Sequence, residues 1–170
     1  MTHSDDFKAA FRNHPAGVAV ITADPGSGPV GLTATSVASV STNPPLLVFS
    51  LSAHSSTGPA VNIAETVVVH FLEDKHLELA KTFATSGIDR FADASIWSRL
   101  ATGEPFLPSV STWMRGKIVN RMEAGDSTII AVEILEVRVP ASDAPTTAPS
   151  SPLVYHNRTW HALSADSTIG

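Results

Sequence analysis

The chain has 170 residues, 43% of them hydrophobic and 16% charged, a balance that buries a globular core without covalent staples. It contains no cysteine, which excludes disulfides, Cys-ligated metals and thiol nucleophiles, and its net charge of −5 offers no basic field to a nucleic-acid backbone. No apolar run is long enough to span a bilayer, and the first six residues, MTHSDD, are too polar and acidic for a secretory signal; the expectation is a cytoplasmic, single-domain protein over 1–170 with neither membrane nor nucleic acid as partner.

In chain order, Ser4 before Asp5, Asp6 and Phe7 reads as the cap of a first helix, with Phe7, Ala10 and Phe11 on one stripe and Pro15 beyond its end. GVAVITA at 17–23 reads as a buried strand. Asp24 to Pro29 is a dense turn signal, and Val30 to Ser41 alternates small and polar residues as the return strand of a hairpin. LLVFSL at 46–51 and TVVVHFL at 66–72 are further strands, separated by a Ser/Gly/Pro loop. Glu73 to Thr85 has helical spacing. Residues 86–112 look irregular, with a short helix near 93–100. Trp113–Glu123 and Thr128–Val139 make a long hairpin, 140–152 is a Pro/Ser/Thr-rich connection, and 153–163 closes as one last strand. Six or seven strands on short connections, with two or three helices, predict an all-β to α+β fold: an antiparallel barrel or sandwich with peripheral helices.

Two adjacent stretches draw attention as a ligand site. In GLTATSVASVS at 31–41 neither face of the strand is bulky, which suits the approach of a wide planar ligand to the backbone. In SLSAHSSTGP at 50–59 a strand ends in a run of hydroxyls and turn amides able to hold a phosphate without lysine. Their plainer readings are a packed Ser/Thr strand and an ordinary polar loop capping the next short helix. His70, inside an apolar strand, either fills the core or lines a cavity. Arg90 could pair with a phosphate and Phe91 pack on a ring, or both could anchor a loop. The histidines show no metal-ligand spacing, so no metal is expected. There is also no G-x-G-x-x-G after a strand, no P-loop and no G-x-S-x-G elbow, so a dinucleotide would need another kind of pocket.

These segments resemble the short-chain flavin reductases, whose domain is an FMN-binding split barrel. The resemblance is carried by Phe11-Arg12, GVAVIT at 17–22, GLTATSVASVSTNPPLLVFSL at 31–51 and Ser55-Ser56-Thr57. It continues through Leu79-Ala80, Phe83-Ala84, Asp89-Arg90-Phe91, Gly125-Asp126 and PLVY at 152–155. It implies a six- to seven-stranded antiparallel split β-barrel with two or three peripheral helices, forming a homodimer that binds FMN or FAD. NADH or NADPH would be the electron donor, and a monooxygenase partner would receive the reduced flavin. By the same resemblance, Thr33, Ala34, Thr35, Ser36 and Val37 edge the flavin ring, Ser50 and Ser52 flank the ribityl chain, and Ser55, Ser56 and Thr57 meet the phosphate. His70, Phe71, Arg90 and Phe91 complete the candidate cofactor-binding set. No residue is assigned a catalytic role, because hydride transfer between nicotinamide and flavin needs orientation and electrostatics rather than a general acid or base. Relatives usually carry Asn at the position of His70, and a histidine at the position of Ser127, which is linked there to nicotinamide. A flavin-, deazaflavin- or haem-binding protein without turnover is the alternative, and NADH or NADPH oxidation discriminates the two.

Overall fold

The computed structural model describes residues 2–141 and 150–170. The first helix, α1 (His3–Arg12), is capped by Thr2 rather than Ser4: the Thr2 hydroxyl accepts from the Asp5 amide at 3.3 Å, and the Asp5 carboxylate accepts the Thr2 N–H in return. That reciprocal pair satisfies two orphan donors and places Asp5 at the positive end of the helix. Strands β1 (Ala16–Gly17), β2 (Ala19–Ala23) and β3 (Val30–Ala34) follow. The β2–β3 turn is held by the Asp24 carboxylate, which accepts from the amides of Gly26 and Gly28; both glycines have strongly positive φ, a conformation that favours residues without Cβ.

The alternating stretch at 30–41 is two strands, not one. It breaks after Ala34 and resumes as β4 (Ala38–Thr42). The chain continues through β5 (Pro45–Ser52), α2 (Gly58–Ile63), β6 (Thr66–Phe71) and α3 (Leu77–Ala84), preceded by a single 3-10 turn at Asp74–His76. Residues 86–112 contain no helix near 93–100; they fold as successive turns around the short pair β7 (Ser98–Arg99) and β8 (Pro105–Phe106). The long hairpin β9 (Trp113–Ala124) and β10 (Ser127–Arg138) is as expected. The expected last strand is instead a hairpin, β11 (Leu153–His156) and β12 (Thr159–Ala162). Its two-residue turn puts Asn157 and Arg158 at φ 50° and 61°, the double positive φ of a type I′ turn. Within the 140–152 connection, residues 142–149 lie outside the described residues.

Seven antiparallel strands form the main sheet in the order β3-β2-β6-β9-β10-β5-β4. β3 and β4 are therefore its two edges, yet only residues 35–37 join them. Three residues span at most about 15 Å between Ala34 and Ala38. The sheet must curl until its edges nearly meet, without closing by hydrogen bonds, and this is the split of the expected barrel.

The central strands are buried on both faces, which explains their continuous apolar runs. Ala19, Ile21 and Ala23 of β2 join Phe49, Val67, Val69, Ile130 and Val132 inside the curl. Val18 and Val20 face the other way, with Leu72, Phe83, Leu107 and Leu153 under α3 and the 86–112 segment. Period-two alternation thus feeds two cores. Gly116 on β9 is where β10 approaches too closely for a side chain. A Cβ there would lie 2.6 Å from the Glu133 carbonyl oxygen and closer still to a Val132 methyl. Gly116→Ala should therefore cost about 1–3 kcal/mol, read as a lowered denaturation midpoint at unchanged m-value, because backbone cannot move aside as a flexible side chain can.

Candidate functional site

The link across the split builds the site. Residues 35–37 leave the ladder, and their backbone amides make no backbone hydrogen bond among the described residues. The Ser36 hydroxyl holds the link to β5, accepting from the Ser50 amide at 3.0 Å just beyond the last β4–β5 pair, Ala38 with Val48. Two cavities open on either side of this link, and Thr35, Ser36 and Ser50 line both.

The smaller cavity, about 350 Å³, lies between the end of β3, the end of β5 and α3. Thr33, Ala34, Ser52, Ser55, Ser56 and Arg90 line it, alongside Ser86, which sequence reasoning passed over as part of an irregular stretch. Arg90 is held by three bonds. Its Nε–H donates to the Thr85 carbonyl at 3.0 Å, and Nη1 donates to the Gly31 carbonyl at 2.7 Å and to the Thr57 hydroxyl at 3.1 Å. Thr57 in turn lies 3.3 Å from the Ser55 hydroxyl. Thr57 therefore positions Arg90 rather than lining the cavity itself. Partial burial pulls the Arg90 pKa down from its ordinary value, and no carboxylate among the described residues pairs with it. A half-buried guanidinium that no carboxylate among the described residues pairs, ringed by serine hydroxyls, has the chemistry to hold an anion. Thr33 has a different use: its hydroxyl donates to the Ala80 carbonyl at 2.7 Å and ties β3 to α3.

The larger cavity, about 1530 Å³, is bounded by the same link, including Val37, and by Phe71 at the end of β6. Its other walls are the β9–β10 turn with Asp126 and Ser127, the end of α1, and the β11–β12 hairpin with Tyr155. The two cavities together fit a planar ring with a phosphate tail: small side chains and free amides at the link, hydroxyls beyond it, and a cation at the far end. Among the described residues no group of three or more His, Asp or Glu is placed to hold a metal.

Besides Thr57, two of the expected site residues line neither cavity. His70 is fully buried between β6 and the 86–112 segment and lines neither cavity. Its Nδ1 faces the Val20 carbonyl at 3.0 Å, and its Nε2 faces the Leu107 N–H at 3.0 Å. Those partners demand a donor at Nδ1 and an acceptor at Nε2, so the ring is a neutral core residue with both nitrogens used. Phe91 is 9% exposed and packs edge-on against Phe83 and Trp97, at 5.3 and 5.2 Å between ring centroids, so it supports the site wall from behind. The walls given by α1 and the β11–β12 hairpin enter the sequence reading only through Phe11-Arg12 and PLVY at 152–155, with no site role attached; the double positive φ at Asn157-Arg158 had no glycine to announce it. Beside Ser127, the Asp126 carboxylate lies 3.7 Å from the His54 imidazole.

The family model for the flavin reductase like domain matches residues 11–164. An NADH:FMN oxidoreductase of Rhodococcus qingshengii is 43% identical over 156 residues, covering 92% of this chain and 80% of that protein. The reductase component of a 4-nitrophenol 4-monooxygenase/4-nitrocatechol 2-monooxygenase from Rhodococcus opacus is 29% identical over 95% of this chain and 90% of that protein. Among solved structures, a flavin reductase domain protein from Arthrobacter sp. FB24 superposes with a TM-score of 0.85 at 34% identity, covering 95% of this chain and 96% of that one.

Proposed function

The chain belongs to the flavin reductase-like family, and from that premise we propose that it is an NADH-dependent FMN reductase that supplies reduced flavin to a separate monooxygenase. The observation that carries the reading is Arg90, a cation paired with no carboxylate among the described residues, at the end of a hydroxyl-lined cavity that shares a wall with a much larger one. The similarity to the Rhodococcus qingshengii oxidoreductase favours FMN and NADH over FAD and NADPH, and that to the Rhodococcus opacus reductase component favours a monooxygenase as recipient.

Bound flavin supplies the hydride-accepting ring. Everything else is binding and orientation by the chain. Arg90, with Ser52, Ser55 and Ser56, holds the phosphate. Ala34, Thr35 and Val37 leave room for the ring, while the amides of 35–37 donate to its polar edge, where negative charge accumulates on reduction. The larger cavity has room for a second ring beside the first, and holding the two together there would provide most of the rate. No side chain has to move a proton, which is consistent with Ser127 standing where an imidazole is usual.

The working enzyme is a single-domain homodimer in the cytoplasm. Support for the dimer comes from the long hairpin, which leaves apolar side chains more than half exposed at both its ends: Met122 beside the turn, and Leu135 and Val137 at the other. No described helix is long and apolar enough to cross a membrane.

The test is a visible spectrum of the protein with FMN, followed by titration with NADH under anaerobic conditions. Quenched flavin fluorescence and stoichiometric bleaching of the flavin band are expected. Absence of FMN and FAD binding would overturn the reading; tight binding without NADH or NADPH oxidation would make the chain a flavin-binding protein instead.

A further inference from the structure

The larger cavity exceeds the ~300–1,000 Å³ of ordinary small-molecule pockets, so one ring system does not fill it. Its outer rim is cationic although the whole chain carries −5. Lys8 and Arg12 stand at i and i+4 on α1, on one face about 6 Å apart, and Arg158 stands at the tip of the β11–β12 hairpin. None of the three takes part in an ion pair or a side-chain hydrogen bond among the described residues. The cavity's two carboxylates sit on other walls and have partners: Glu73 pairs with Lys75 at 3.1 Å, and Asp126 with His54 at 3.7 Å.

This rim is built rather than incidental. The Asn157 N–H donates to the Arg12 carbonyl at 2.9 Å, and His156 Nε2–H donates to Asn13 Oδ1 at 3.1 Å. The two bonds fasten the hairpin tip to the end of α1. The tip also accepts two non-glycine residues at positive φ, an arrangement that costs stability and leaves Arg158 next in sequence to the residue bonded to Arg12, on the same cavity. Next to the cations, Phe7 and Phe11 present a tilted aromatic pair, 4.7 Å between centroids and 63% and 60% exposed. A diphosphate flanked by a flat base matches this arrangement of charge and ring.

We propose that Lys8, Arg12 and Arg158 hold the pyrophosphate of the nicotinamide dinucleotide, with the Phe7–Phe11 pair beneath its adenine. This rests on the flavin reductase reading and says where its electron donor is gripped. The flavin phosphate is served separately by Arg90, so the two ligands are separable by substitution.

The experiment uses the full chain and the variants Arg12→Gln, Arg158→Gln and Arg158→Lys. ADP-ribose, which has the pyrophosphate and adenine but no nicotinamide, is titrated calorimetrically, and KM for NADH and Kd for FMN are measured beside it. Each Gln variant is expected to weaken ADP-ribose binding and raise KM for NADH by about tenfold, with Kd for FMN and kcat nearly unchanged, since one lost charged contact is worth roughly that factor. Arg158→Lys should recover most of the loss, and added salt should raise KM more steeply in the wild type than in the variants. Unchanged ADP-ribose affinity in both Gln variants overturns the proposal. So does a parallel loss of FMN affinity, or dissociation of the dimer on size-exclusion chromatography, because either gives the rim another job. A wild-type chain that binds no FMN shows itself before any substitution, and removes the underlying reading along with the proposal.

Discussion

Arg90→Ala is expected to weaken FMN binding by about 10- to 100-fold while leaving riboflavin binding nearly unchanged. The lost interaction is a charge-assisted contact to phosphate in a half-buried site, worth about 1.5–3 kcal/mol. The riboflavin arm separates this role from a structural one. Arg90 also donates to the carbonyls of Gly31 and Thr85, and those bonds hold the 86–91 turn against β3. If Arg90 were only a loop anchor, its removal would deform the wall used by both flavins, and riboflavin would suffer as much as FMN. Arg90→Lys keeps the charge but not the planar fork, so it should recover part of the FMN affinity and little of the turn's rigidity. Equilibrium quenching of flavin fluorescence measures all of these, and equal losses for riboflavin and FMN would sink the assignment of the phosphate.

Much of the site was legible in the residues because its chemistry is local. The serines at 50–56 and the small residues at 33–37 sit within a few positions of one another, and strand alternation alone suggests a thin wall beside a hydroxyl-rich loop. What alternation could not reveal is that 30–41 crosses from one sheet edge to the other. Small polar residues satisfy an edge strand and an unpaired link equally well, and only the long-range order of the strands distinguishes them. The same blindness applies to His70. A histidine in an apolar strand reads identically whether it faces a cavity or a core, and its partners, Val20 and Leu107, are 50 and 37 positions away. The rim from α1 and the β11–β12 hairpin was hidden for a third reason. It joins Arg12 and Asn13 to Asn157 and His156 through two hydrogen bonds, one of which uses only backbone atoms and therefore leaves no trace in residue type.

His70 makes the fold acid-sensitive, and the size of the effect follows from its surroundings. Burial, chiefly, lowers its pKa from 6.5 to about 4; the bond at the Val20 carbonyl opposes that shift, and His76 nearby adds to it. The folded state therefore holds His70 neutral where the unfolded chain would protonate it. Between pH 6.5 and 4 the unfolded chain binds more protons, so stability rises with pH across that window. The contribution is fully present above about pH 6.5 and falls by about 3 kcal/mol on the way to pH 4, below which it no longer changes. His76 shifts in the same direction, also through burial first, and steepens the loss. Protonation at Nε2 would set one N–H against the Leu107 N–H and release the 86–112 segment, which carries Arg90, so flavin affinity should fall with the same midpoint. His70→Asn offers the discriminating variant. An amide supplies one donor and one acceptor, as the neutral ring does, but does not titrate. It should lose about 1–2 kcal/mol at pH 7.5 from the volume left empty, yet show a flatter dependence of denaturant midpoint on pH between 6.5 and 4. A His70→Asn protein as acid-sensitive as the wild type would assign the effect to other groups, the buried His76 first among them.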